Sequence, residues 1–293
     1  MHFRKTVSTT TTRTTPDRTT TRTTSRRVAK AAAVAALAGA LGATAMSGSA
    51  SAIVNGRDST ERYPFMATVP LSAAQLADGS CGASLIDPQW VLTAAHCVVG
   101  DEESGLKLKG TVRVGSAHRD SGGTVRTIAR VVVHPGFAFG DGATRPNVDD
   151  LALIRLDRPV AQRPIRIAEH AGPAGTPTRL LGFGTVKDTH SYPDMVFPDR
   201  LQELPTRIGA QDECAPGWSG PTRLCTVSQV PKAMACFGDS GGPQVQRGRG
   251  GRWELVGATS GPGAPGVACS DGPGLYSDVP AYAPWIRTVI GAR

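Results

Sequence analysis

The sequence predicts an all-β fold of short strands joined by turns. Three observations predict it. Glycine and proline are frequent, at 35 and 22 of 293 residues, while aromatic residues make up only 5%. Apolar runs of strand length recur, among them Trp90-Val91-Leu92-Thr93 and Leu151-Ala152-Leu153-Ile154. Helical heptads and repeats of solenoid period are absent from the pattern. One element departs from this class. Tyr282, Trp285, Ile286, Val289 and Ile290 have the spacing of a short amphipathic helix between Ala281 and Ile290. The length suits one compact unit.

The first 52 residues read as a leader. Residues 1–27 are dominated by Thr and Arg and cannot bury enough apolar surface to fold. A weakly apolar run from Val28 to Ala45 follows, and then Ala50-Ser51-Ala52, a small-x-small cleavage pattern. Positive, apolar and small in that order describe a signal peptide rather than a stable membrane anchor. Ser25-Arg26-Arg27 keeps a twin-arginine route open beside the general one, although Val28-Ala29-Lys30 lacks the large apolar residue that route favours. The formal charge of +8 sits almost wholly in this leader. Residues 1–52 carry eight Lys/Arg and one Asp, and residues 53–293 carry 24 Lys/Arg against 23 Asp/Glu. The body from residue 53 onward therefore has no net field for a polyanion, and nucleic acid is not an expected partner. Arg247, Arg249 and Arg252 are interleaved with glycine and read as a solvated loop.

Export would place the six cysteines in an oxidising compartment, where an even count predicts disulfides but leaves their pairing open. No C-x-x-C occurs, no histidine pair has ligand spacing, and no acidic loop has a calcium-site ligand count. The expectation is accordingly no metal and no cofactor.

Three motifs carry chemistry. Trp90-Val91-Leu92-Thr93-Ala94-Ala95-His96-Cys97 brings a histidine to the end of a buried strand. Asp149-Asp150 opens the apolar run Leu151 to Leu156. Gly238-Asp239-Ser240-Gly241-Gly242-Pro243 puts a serine in a glycine-rich turn whose backbone N–H groups can converge. Each motif alone has a bland reading: a structural histidine, a turn aspartate, a plain tight turn. Together, with Ile53-Val54-Asn55-Gly56 and in the order His, Asp, Ser, they resemble the chymotrypsin/trypsin family of serine peptidases, in a secreted bacterial type. The resemblance runs from Ile53 to about Ile290.

That resemblance implies two six-stranded antiparallel β-barrels with the site in the cleft between them. The N-terminal barrel would span 53–166, and the C-terminal barrel with its closing helix 171–293. It implies His96, Asp150 and Ser240 as a catalytic triad and the N–H groups of Gly238 and Ser240 as an oxyanion hole. Asp150 is favoured over Asp149 because it directly precedes Leu151-Ala152-Leu153. An activation pair would join a new Ile53 N-terminus to Asp239. Ala52 replaces the basic residue that usually precedes that Ile, so signal peptidase itself would expose Ile53. The implied disulfides are Cys81–Cys97, Cys214–Cys225 and Cys236–Cys269.

The specificity pocket departs from the trypsin pattern. The position six residues before Ser240 is Met234, followed by Ala235, where Lys/Arg-selective relatives carry Asp. A thioether cannot compensate a buried cation, so the expected preference is for uncharged apolar residues, with trypsin-like specificity as the alternative. Gly274 would keep the pocket wall open. Ser260-Gly261-Pro262 stands where relatives have S-W-G, and Pro262 has no N–H for a substrate strand. Either the register shifts toward Gly263, or substrate binds more weakly. The expected partners are protein or peptide substrates and protein protease inhibitors, with the enzyme a secreted monomer. A silent relative acting as a binding module is the competing class.

Overall fold

The structure is a computed structural model and describes residues 53–72, 79–100 and 107–291. The leader expectation falls on residues 1–52 and lies outside the described residues. Twelve strands build two closed rings. The first ring comprises β1 (Met66–Ser72), β2 (Ser80–Asp87), β3 (Trp90–Thr93), β4 (Thr111–Val114), β5 (Thr124–Val133) and β6 (Ala152–Leu156). Their antiparallel pairing runs β1-β2-β3-β6-β5-β4 and closes back on β1. The second comprises β7 (Pro177–Gly182), β8 (Gln202–Ile208), β9 (Arg223–Ser228), β10 (Pro243–Arg247), β11 (Trp253–Pro262) and β12 (Gly274–Asp278). It pairs β7-β8-β9-β12-β11-β10 and closes on β7, the same order as the first.

The apolar runs form strands because closed rings bury them. In β3 every residue is buried, and in β6 only Arg155 faces solvent. Val91, Leu92, Leu153 and Ile154 are fully enclosed and interlock across the β3–β6 register, where Val91 opposes Ile154 and Leu92 opposes Leu153. Burial of such a side chain contributes about 2 kcal/mol, so this seam is a rigid platform.

Two short segments from outside the second barrel join its sheet. Arg57–Asp58 pairs with β8, and Arg166–Ile167 runs parallel to β11. The first of these is held by a buried carboxylate. Glu203 accepts from Arg57, Thr60, Tyr63 and Arg179 at 2.9–3.4 Å. At the other end, a 3-10 turn over Val279–Tyr282 leads into α2 (Ala283–Gly291), which follows the short α1 (His96–Val99) in chain order. Ile286 is buried, and Trp285, Val289 and Ile290 pack on the core. Among the described residues no helix is long and apolar enough to cross a membrane.

Candidate active site

The first barrel presents His96 and Asp150 from the ends of neighbouring strands. β3 ends at Thr93 and His96 opens α1, while Asp150 lies two residues before β6. The β3–β6 pairing therefore fixes their separation. His96 Nδ1 lies 2.7 Å from Asp150 Oδ2, and the His96 backbone N–H donates to Asp150 Oδ1 at 3.0 Å. Asp150 is only 2% exposed. Burial pushes its carboxyl up. The charge of His96, with hydrogen bonds from His96 and Ser260, outweighs that and holds the carboxyl below its ordinary value. A carboxylate that stays ionised beside Nδ1 fixes the imidazole tautomer, with the proton on Nδ1 and the lone pair on Nε2.

Ser260 reaches this carboxylate by a bulge. The β11–β12 register shifts between Thr259 and Gly261, leaving Ser260 without a cross-strand partner. Its hydroxyl donates to Asp150 Oδ2 at 2.6 Å. Ser260, expected at the pocket, is turned by this bulge toward the acid and does not line the cavity beside Ser240. Asn147 Nδ2 donates to the same oxygen at 3.2 Å. That contact has no signal in the sequence, because Asn147 sits in a polar loop with no motif around it.

The serine turn is contributed by the second barrel and stitched to the first. Gly82 N–H donates to the Ser240 carbonyl at 2.8 Å, and the Gly82 carbonyl accepts from Thr93 Oγ1 at 2.8 Å, three residues before His96. Cys81, beside Gly82, is disulfide-bonded to Cys97, beside His96. Gly241 has φ +73°, and a Cβ there would lie 2.2 Å from Thr93 Oγ1 and 2.6 Å from the Gly82 carbonyl. Only glycine lets the turn sit this close to the strand that delivers the histidine. Gly238 is also left-handed, with φ +95°, and the N–H groups of Gly238 and Ser240 donate to no protein atom among the described residues.

Asp239 lies beneath this turn, 1% exposed. Its carboxylate accepts from the Gly184 and Cys236 N–H groups at 2.8 and 3.0 Å. Burial raises its pKa to about 7, against the two hydrogen bonds that pull it down. No cation pairs with it among the described residues. Ile53, still in peptide linkage to Ala52, carries no ammonium to do so. Its side chain is fully buried with Leu180, Leu204, Met234 and Tyr276, and it holds φ +61°, a strained conformation for a β-branched residue.

A cavity of about 140 Å³ opens beside Ser240. Met234, Ala235 and Phe237 line it on one side, and Gly261, Pro262 and Gly274 on the other. Among the described residues no Asp, Glu, Lys or Arg lines it. Met234 is held by Tyr276, whose hydroxyl lies 4.0 Å from its sulfur. A Cβ at Gly274 would lie 2.8 Å from the Tyr276 ring and 3.2 Å from the Met234 sulfur, so glycine keeps the wall clear. Cys236–Cys269 ties the two walls together. Cys214–Cys225 sits against Trp218 and Leu275 in a separate small core. One lining residue had no sequence signal, because a distant loop brings it there, and a neighbouring aspartate on that loop bonds the Cys269 segment. His190 lines the cavity and packs edge-on against Phe237, with ring centroids 5.3 Å apart. Asp188 accepts from the N–H groups of Cys269 and Ser270 at 3.0 Å each.

Pro262 stays in β11 opposite Gly274 and offers no N–H. The Gly263 N–H donates to the Pro273 carbonyl at 2.7 Å, so the expected shift of a substrate strand onto Gly263 has no free donor there. The clusters Cys81/His96/Cys97 and Asp188/Cys236/Cys269 each contain a disulfide, which leaves no thiolate for a metal.

A family model described as Trypsin matches residues 53–286. The chain belongs to the trypsin family. It is 35% identical over 246 residues to a trypsin of Sarcophaga bullata, covering 80% of this chain and 87% of that one. It is 32% identical over 257 residues to human kallikrein-5, covering 84% and 78%. Among solved structures it resembles neuropsin, described as a serine protease expressed in the limbic system of mouse brain. The TM-score is 0.65 at 27% identity, with 81% of this chain and all of that one covered. This trypsin-family chain is a serine endopeptidase, and it acts on protein substrates. These relatives come from insect, human and mouse, and they give no support to the bacterial type expected from the sequence.

Proposed function

We propose that this peptidase cleaves through an acyl-enzyme on Ser240, with His96 as general base and then general acid. Asp150 holds the imidazole and stabilises its charged form. The Gly238 and Ser240 N–H groups take the oxyanion, where losing one donor typically costs about 3 kcal/mol in the barrier. The 2.7 Å His96–Asp150 contact, on strand ends to which the Ser240 turn is stitched, carries this reading.

The residue before the scissile bond enters the cavity over Met234. Its walls hold no Asp or Glu, which favours uncharged apolar side chains over Lys or Arg. The commitment of the Gly263 N–H and the missing Pro262 donor support weaker backbone pairing with substrate. The chain is secreted and begins at Ile53. The leader pattern and three disulfides support export, and the uncompensated Asp239 beneath the turn supports a role for a new Ile53 ammonium.

The test is hydrolysis of a peptide library by secreted protein, sequenced at its N-terminus, beside Ser240→Ala. The expected result is an Ile53 start and cleavage after Leu, Met, Phe or Ala that the variant lacks. Cleavage after Lys or Arg overturns the pocket reading, and a start at Ser47 or Ser51 overturns direct processing. Folded protein with an Ile53 start that cleaves nothing overturns the triad reading.

A further inference from the structure

Asp150 Oδ2 receives two donors besides His96. His96 Nδ1, Ser260 Oγ and Asn147 Nδ2 approach the same oxygen at 2.7, 2.6 and 3.2 Å. A carboxylate oxygen offers about two lone-pair directions, so three donors compete for it. We propose that Asn147 is a positioning residue of the reaction, bracing the Asp150 carboxylate and tempering its pull on the His96 proton.

The amide is oriented for this role. Asn147 Oδ1 accepts from the Gly140 N–H at 2.9 Å, which fixes the oxygen there and leaves the NH₂ for Asp150. The loop behind it is tightly built. The Asp141 carboxylate accepts from the N–H groups of Ala143, Thr144 and Arg145 at 2.6–3.0 Å, and Ala138 and Val148 bridge at 2.9 and 3.1 Å. Asn147 is thereby held at a fixed point rather than on a free tip.

The electrostatic sign follows. A donor on Oδ2 draws negative charge from the carboxylate and weakens the stabilisation of the His96 imidazolium. Its removal makes the imidazolium easier to form and raises the pH at which His96 loses its proton. Asp149 turns its carboxylate to Tyr282 at 2.8 Å and to His134 at 3.8 Å, and Ser277 bonds the Asp150 carbonyl rather than its side chain.

The inference rests on the triad reading, and two variants separate it from loop anchoring. Asn147→Asp keeps an acceptor for Gly140 but puts a second anion where the donor stood. Asn147→Leu removes both contacts. The pH profile of kcat/KM on one peptide substrate is the readout. The expected result is an acid limb shifted upward by about one unit in Asn147→Asp and by less in Asn147→Leu, with kcat reduced more than KM is raised. Acid limbs that superimpose on wild type in both variants overturn the proposal. So does a shift confined to Asn147→Leu, which assigns Asn147 to holding the loop. Failure of the triad reading shows earlier and differently: wild-type protein would lack an acid limb in the histidine range, or Ser240→Ala would keep its activity.

Discussion

The two barrels share one strand order and no recognisable sequence repeat, yet they give the site unlike things. The first contributes His96 and Asp150 from residues near the ends of the buried strands β3 and β6, whose mutual register is unbroken although their outer neighbours carry bulges at Leu85/Asp87 and Ile128/Arg130. The second contributes Ser240 and the pocket from turns, bulges and loops. Gly238 and Gly241 are left-handed there, and register shifts occur at Gln244/Val245 and Thr259/Gly261. Topology therefore fixes the scaffold without deciding where the reactive groups sit. In the triad proposed above, strand pairing and the Cys81–Cys97 disulfide position His96 and Asp150, while close glycine packing and one buried carboxylate position Ser240.

The sharpest break in this comparison is the contact where the halves meet. In Gly241→Ala the new methyl would collide with Thr93 Oγ1 and the Gly82 carbonyl, and alanine disfavours φ +73°. Strain of about 1–3 kcal/mol would be relieved by moving the turn. The expected result is a loss of about 100-fold or more in kcat, since displacement of about 1 Å at a reacting atom has that effect. Active-site titration beside circular dichroism checks it. A folded, fully active variant would show that the turn does not depend on its fit against β3.

The same division decides what the sequence makes legible. Continuous apolar runs reveal β3 and β6, while the histidine and aspartate near their ends stand out only through the family resemblance. The terminal helix is equally plain, because Trp285, Ile286, Val289 and Ile290 share one face. Ser260 misleads, because an isolated bulge in β11 has no pattern of its own. His190 is silent for a related reason: long-range packing brings its loop to the cavity, as in the nearby Asp188 bonds to residues 81 and 82 positions away, and Asn147 is silent because a short local loop without a motif turns its amide to Asp150.

Two buried acids sharpen the comparison through opposite pH slopes. Asp150 is held below its ordinary value, so its contribution is present at neutral pH and is lost as pH falls through its folded pKa. Asp239 in the uncut chain is raised from 3.8 to about 7. The folded state then keeps a proton that the unfolded chain has released, and stability falls as pH rises from about 4 to about 7. The expected result is a urea midpoint for the uncut Ser240→Ala chain that declines over that window. The decline should flatten in Asp239→Asn and in chain beginning at Ile53. An uncut chain with no decline would show that Asp239 already has a compensating charge.

The smallest effect tests whether the first half is as self-contained as its strands suggest. Asp149, immediately before Asp150, holds φ +47°, and its carboxylate accepts from the Tyr282 hydroxyl at 2.8 Å. Tyr282 precedes α2, so the tail of the chain braces the peptide that aims the acid. His134 packs edge-on against both Tyr282 and Trp285, with centroids 5.1 and 4.9 Å apart, and this keeps the ring in place without its hydroxyl. Tyr282→Phe should therefore cost only about 0.5–1.5 kcal/mol of stability, because Asp149 is partly exposed and water can replace the lost donor. Activity should stay within a few-fold of wild type. A larger fall in kcat with unchanged stability would mean that the left-handed peptide at Asp149 relies on this hydroxyl, and that the acid–base half depends on the tail as much as the serine half depends on its loops.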